Sequence, residues 1–433
     1  MKELAPEFTE VYRSPDPHKD FPYSPGILVL DSGRYVVSMD LNDRYGKIYI
    51  SDDRGETWRL TNEDLFAHAT LFLDPTNGRI YLMGCRHVYG DLVVAFSEDD
   101  GETWSKAVNF TEGEEWCHGA VNALYKDGYV YVPMDCKFLK EGETILSPWQ
   151  PNIIAPVVMR GKLGDDLSKR ENWLMSEKVR FRDVMPESDI EGIGVPFFPS
   201  IEDSPEGENF CYWPPTYRAS YDYENNKSPY DIFRFHAVGW METNIVQITD
   251  PSHFWYDSTG KTFHLLMRVN SHRIGFAGVM KAVEKVVDGK EIISIECEKA
   301  PSGKNLIFLP MLGGQNKFHI RYDEATKLYW LLSVQARDSM RKIELLSEDR
   351  FSIPCDERDR LALSFSTNLV DWCFAGIVAK SGHEKQSRHY AALDFDGDDM
   401  LILSRSGDAD AHSAHDGNII TFHRIKNYKD LIY

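Results

Sequence analysis

Ser51-Asp52-Asp53-Arg54-Gly55-Glu56-Thr57-Trp58 is repeated, with few changes, as Ser97-Glu98-Asp99-Asp100-Gly101-Glu102-Thr103-Trp104. Both fit Ser-x-Asp-x-Gly-x-Thr-Trp, 46 residues apart, so the chain is built from an internal repeat. The residue types describe a tight turn after a strand. Ser and Asp hydrogen-bond the local backbone, Gly supplies a left-handed turn residue, and Trp packs back between neighbouring sheets. Such a turn folds a hairpin and performs no chemistry.

A weaker unit surrounds the two turns: a strand entering with polar residues, a turn with Asp or Gly, then an apolar strand that ends polar. It occurs six times, over 24–42, 68–87, 118–135, 242–270, 315–335 and 388–408, and each copy is followed by a third strand. Decayed versions of the turn follow at Ser366 to Trp372, Leu163 to Trp173 and His423 to Leu431. Six such units predict an all-β, six-bladed β-propeller, a single domain over 1–433 with its core distributed between blades. Phe8 to Tyr12 is placed to become the outer strand of the last blade and close the ring. The segment 180–240 breaks the period with turn-rich, aromatic text and is expected to be a functional insertion, the alternative being a seventh blade. Met340 to Arg360, rich in charge, reads as surface loop.

With 68 acidic and 48 basic side chains the formal charge is −20, which opposes a nucleic-acid partner. No apolar run approaches the roughly 20 residues that span a bilayer, and Met1 to Pro6 carries no signal-peptide core. These features predict a cytoplasmic chain, or a secreted or periplasmic one after processing, with no membrane partner. The seven cysteines are scattered and odd in number, which predicts buried free thiols.

In a propeller, the residues that begin inner strands and the loops joining second to third strands gather at one mouth of the central channel, opposite the repeated turns. Those positions read Tyr23 and Asn42; His68, Arg86 and His87; His118 and Asp135; Glu242, Asn244, Arg268 and Arg273; Gln315, Lys317 and Gln335; and Arg388, His389, Arg405, Asp408, His412 and His415. They concentrate cations on an acidic protein, and converging guanidinium forks suit an acidic sugar. Glu242 heads an inner strand and is a candidate acid, base or nucleophile; His118 suits acid/base work near neutrality. Tyr217 beside Arg218 is a candidate phenolate. No cofactor is required, although His68, His87 and His118 are candidate ligands for a metal ion.

The repeated turn resembles the Asp-box of sialidases and related propellers. The C-terminal half resembles bacterial sialidase-like proteins through Gly239-Trp240-Met241-Glu242-Thr243-Asn244, Gly313 to Asp323, Phe395 to Asp399, and His415-Asp416-Gly417-Asn418 with Thr421 to Arg424. The resemblance implies a carbohydrate-active propeller. Sialidases open on a Phe-Arg-Ile-Pro-like motif whose Arg begins a substrate-carboxylate triad; here that place reads Phe21-Pro22-Tyr23-Ser24-Pro25. Rhamnosidases and ulvan-type lyases are related propellers that use His, Tyr and Arg, types matched by His118, Tyr217 and Arg218.

The function expected is an exo-acting glycoside hydrolase on an acidic or deoxy sugar of an oligo- or polysaccharide. Glu242 with Tyr217 or Asp135 would form the catalytic pair. Arg86, Arg218, Asn244, Arg268, Gln315, Lys317, Arg388, His389, Arg405 and His415 would hold the substrate. The alternatives are a polysaccharide lyase acting at a uronic acid, with His118 or Tyr217 removing the proton, and a non-catalytic glycan-binding propeller.

Overall fold

A computed structural model describes residues 2–117, 121–143, 151–184, 190–191, 239–269, 275–337, 357–383 and 386–433. They form six antiparallel sheets of at least four strands each. Pro22–Val29, Tyr35–Leu41, Tyr45–Ser51 and Arg59–Leu65 make the first blade, and Ala67–Asp74 opens the second. The third blade centres on Tyr129–Lys137 and Ile154–Lys162, the fourth on Trp240–Val246, Thr262–Val269 and Phe276–Val287. The fifth begins at His319–Asp323 and the sixth at Arg388–Asp396, followed by Asp399–Ser406 and Ile419–Ile425.

Thr9–Arg13 completes the sixth blade from the other end of the chain, with Thr9 opposite Phe422 and Arg13 opposite Ile419. This is the expected closure, and it removes two open edges at once.

The core is distributed as a propeller requires. Separate apolar clusters join consecutive blades: Ile48 and Ile50 to Ile80 and Leu82, Tyr81 and Phe72 to Trp116 and Val132, and Tyr131 and Val158 to Trp240 and Phe263. Others join Leu266 and Val279 to Ile320 and Leu331, Trp330 and Leu363 to Leu393 and Ile402, and Leu401 and Leu403 to Tyr35 and Val37. The third and fourth blades meet directly, so the ring has no place for a seventh. The insertion expected over 180–240 lies mostly outside the described residues. From it, Ile190–Glu191 pairs in parallel with Asn305–Leu306.

Both repeated turns have the hydrogen bonds their residue types call for. Ser51 Oγ accepts the Gly55 N–H at 2.7 Å, and Asp53 accepts the Thr57 N–H and hydroxyl at 2.9 and 2.5 Å. Ser97 and Asp99 repeat the pattern with Gly101 and Thr103. The glycines sit at φ 88°, where a side chain is strained. At Gly55 a Cβ would also stand 2.4 Å from the Phe422 ring. Trp58 lies 5.3 Å from that ring and donates to Thr9 Oγ1, so the first turn buttresses the closing strand. The decayed turn at Ser366 survives too, with Leu369 in the left-handed region (φ 62°) and its N–H on Ser366 Oγ.

Cys85, Cys117 and Cys136 are free and buried, and burial raises their thiol pKa values, that of Cys136 to about 12. The charged segment 340–360 ends differently from its expected place on the surface. Glu357, Arg358 and Asp359 are buried, and the Glu357 carboxylate is held by the Arg337 guanidinium and N–H at 2.6 and 2.7 Å.

Candidate active site

Four inner strands share a device that sequence periodicity does not show. Ser24, His68, Glu242 and Tyr390 occupy the same place in the first, second, fourth and sixth blades, each inside a register slip that inserts an extra residue, and each in the left-handed region at φ 46°, 51°, 58° and 46°. Such a bulge re-aims a side chain that regular alternation would bury in the sheet. All four side chains line one cavity of about 300 Å³, together with Tyr23, Asp43, Tyr89, Asp135, Arg405 and His415.

Two bulges are anchored by the blade before. Asp40, at the end of the second strand of blade one, accepts the His68 N–H at 3.1 Å. Asp135, at the equivalent place in blade three, accepts the Glu242 N–H at 2.5 Å and the Thr243 hydroxyl at 2.6 Å. The matching positions of blades four and six carry Arg268 and Arg405, opposite Met241 and His389. The mouth therefore carries acids that hold backbone in blades one and three and guanidiniums in blades four and six, of which Arg405 lines the cavity.

Arg268 joins Tyr390 to Glu242. Its Nη1 donates to Tyr390 Oη at 2.6 Å and lies 3.3 Å from Glu242 Oε1, while its Nε donates to the Gln315 carbonyl at 3.0 Å. Among the described residues, four cations stand around the Tyr390 ring: Arg405 at 5.0 Å from the centroid, Arg358 at 5.4 Å, and Arg268 and Lys317 at 5.9 Å. Lys317 is buried, its Nζ has no hydrogen-bond partner among the described residues, and burial pulls its pKa down to about 8. Arg405 lies 3.8 Å over the Tyr23 ring, whose hydroxyl donates to Asp416 at 2.7 Å. His415 Nδ1 also lies 2.7 Å from Asp416 Oδ1.

Asp43 and His68 occupy another part of the wall, with His68 Nε2 2.8 Å from Asp43 Oδ1. Burial opposes charge on both, yet the pairing wins: the carboxyl is held below its usual range and the imidazole above its own.

Of the residues expected at the mouth, Glu242, Asp135, Arg405, His68, Tyr23 and His415 line this cavity, and Arg268 and Lys317 stand against its Tyr390. Asn244 is engaged within the ring, its amide bridging to Ile320 N–H and the Phe318 carbonyl in the next blade. Arg388, expected beside Glu242, instead donates to the Ser387 and Gly407 carbonyls and stacks on Phe8. Arg86 is exposed and bonds Asn109, and His389 is buried with Nδ1 3.0 Å from Arg358. His87 is exposed, with Nδ1 3.0 Å from the Val88 carbonyl, and is not among the residues that group with His68. His118, Tyr217, Arg218 and Arg273 lie outside the described residues. Tyr390, Asp43 and Arg358 were not anticipated.

The fold is shared with solved sialidases. The whole chain aligns with 61% of Trypanosoma rangeli sialidase in complex with sialic acid, at TM-score 0.52 and 11% identity. It aligns over 97% of its length with 98% of a Dyadobacter fermentans protein of unknown function, at 0.50 and 12%. A Penicillium chrysogenum alpha-L-arabinanase complexed with arabinobiose follows at 0.48 and 11%, covering 98% of this chain and 99% of that one. The chain thus spans about three-fifths of the sialidase's length, and at these identities the likeness is one of fold. No known family and no curated protein matches the sequence.

Proposed function

We propose that the chain is a glycoside hydrolase that acts on an anionic sugar through Tyr390 and Glu242. The carrying observation is Arg268 Nη1, which holds the Tyr390 phenol oxygen at 2.6 Å and the Glu242 carboxylate at 3.3 Å at one cavity. Glycosidases usually set two carboxylates about the scissile bond, and sialidases use a tyrosine nucleophile instead. A neutral phenol suits an anionic substrate, since a carboxylate nucleophile would repel it. The four cations about the Tyr390 ring stabilise negative charge as it develops on the phenol oxygen. The same cations, with Lys317 Nζ lacking a hydrogen-bond partner among the described residues, supply the attraction for the sugar's carboxylate.

In this reading Tyr390 Oη attacks the anomeric carbon and passes its proton to Glu242. The glycosidic bond breaks towards the leaving oxygen, which takes a proton from solvent at the mouth. Water then attacks the glycosyl-tyrosine and gives one proton back to solvent, replacing the one the leaving oxygen took, while the proton on Glu242 returns to the phenol oxygen. Fold likeness to solved hydrolases supports the reading by analogy alone.

The test is a screen of aryl glycosides and oligosaccharides bearing sialic acid, uronic acids and neutral deoxy sugars, with Tyr390→Phe and Glu242→Gln as controls. Release of a reducing sugar from an anionic substrate, lost in both variants, is the expected result. A product absorbing in the near ultraviolet would instead assign a lyase, with Tyr390 as base and the arginines neutralising a uronate. Binding without turnover of any glycan would assign a glycan-binding propeller.

A further inference from the structure

We propose that Asp40, Asp43 and His68 form a binding site for one divalent cation in the cavity wall built by the first two blades. Each offers a ligand atom, and the three atoms lie within 4.8 Å of one another. That spread fits one ion about 2.0–2.5 Å from every donor.

A second observation points to a ligand there. Asp40 is only 1% exposed, and its Oδ1 has no hydrogen-bond partner among the described residues, while Oδ2 is occupied by the His68 N–H. A buried carboxylate oxygen without a donor is costly and rare in folded proteins. A dication at this place supplies the missing positive charge.

The donors are held in place before any ion arrives. Asp43 and His68 both sit in the left-handed region, at φ 56° and 51°, and the His68 backbone is tied to Asp40 across the blade interface. Without metal, His68 Nε2 and Asp43 Oδ1 share a proton at 2.8 Å. Metal binding releases that proton and makes the two atoms neighbouring ligands. The charges acting on the trio are Arg405, which opposes a cation, and Glu242, which favours one.

Two carboxylates and one imidazole suit Zn²⁺ or Mn²⁺ better than Ca²⁺, which prefers an all-oxygen shell. Because Asp43 and His68 line the cavity, the remaining coordination positions face bound solvent or a sugar hydroxyl. This inference stands independently of the hydrolase chemistry.

The experiment is a titration of the chelator-dialysed chain with Mn²⁺, following the signal of free Mn²⁺ by electron paramagnetic resonance, then displacement by Zn²⁺. One equivalent should bind, with affinity falling about tenfold or more in Asp40→Asn, Asp43→Asn and His68→Gln. His87→Gln, altering an exposed histidine, should leave it unchanged. If a variant fails to fold by circular dichroism, the wild-type protein decides: Zn²⁺ should shift the His68 imidazole resonances and release about one proton. Absence of saturable binding, undiminished binding in the three folded variants, or unmoved His68 resonances would overturn the site.

Discussion

The carboxylate of Asp135 grips the backbone N–H of Glu242 at 2.5 Å across the interface between two blades, holding a non-glycine residue in a left-handed bulge. Asp135→Asn retains one acceptor oxygen but turns an amide towards the second donor, either the Glu242 N–H or the Thr243 hydroxyl. Stability should fall by about 1–3 kcal/mol through a buried unsatisfied group. Because the bulge aims Glu242, kcat should also fall while KM changes little. Chemical denaturation together with steady-state kinetics checks both, and a drop in stability with kcat unchanged per folded molecule would show that the bulge holds without this bond.

Glu242→Gln preserves shape and removes the base. It should cost at least about two orders of magnitude in turnover, the scale of a positioned acid or base. Tyr390→Phe removes the attacking oxygen and should cost at least about three. Single-turnover kinetics on an activated aryl substrate is the decisive measurement, with melting temperature as the folding control. Near-normal turnover in Tyr390→Phe would exclude the phenol as nucleophile.

Lys317 gives a pH signature. Its buried ammonium deprotonates near pH 8, so KM for an anionic substrate should rise above that pH as the attraction disappears. The stability effect has the opposite sense. Between about pH 8 and the unfolded lysine value near 10.4, the unfolded chain binds the extra proton, so folding stability gains as pH climbs. Lys317→Met should abolish this gain, raise the melting temperature at pH 7 by removing a buried charge that has no hydrogen-bond partner among the described residues, and weaken binding of the anionic sugar. A lower melting temperature in that variant would mean the ammonium has a partner in the fold.

Asp99 anchors the second repeated turn through Thr103, on the far side of the ring from the cavity. Asp99→Ala should lower the melting temperature by a few degrees and leave turnover per folded molecule unchanged. Differential scanning calorimetry beside an active-site-normalised assay tests this.

The ring was legible in the sequence because its signals are local: a strand pair, a turn residue, an apolar strand, repeated. Glu242 was found because it heads such a strand. Tyr390 was missed because alternation along Arg388-His389-Tyr390-Ala391-Ala392 assumes a regular strand, whereas the slip between His389 and Ala392 inserts a residue and redirects the tyrosine. A bulge set by neighbouring blades leaves no periodic trace. Arg358 was hidden differently, in a charged stretch that reads as solvated surface until its burial beside Tyr390 is seen. Asp43 follows Asn42 in a turn, and nothing local marks which of the two faces the cavity.

Among the described residues, Thr9–Arg13 pairs only with Ile419–Ile425. During synthesis this segment must wait for the sixth blade, a delay of roughly 20–80 s at ~5–20 residues per second. Through that interval the nascent chain carries unpaired strand edges, so the arrival of Ile419–Ile425 decides whether the molecule becomes a sealed ring or a template for pairing with its neighbours.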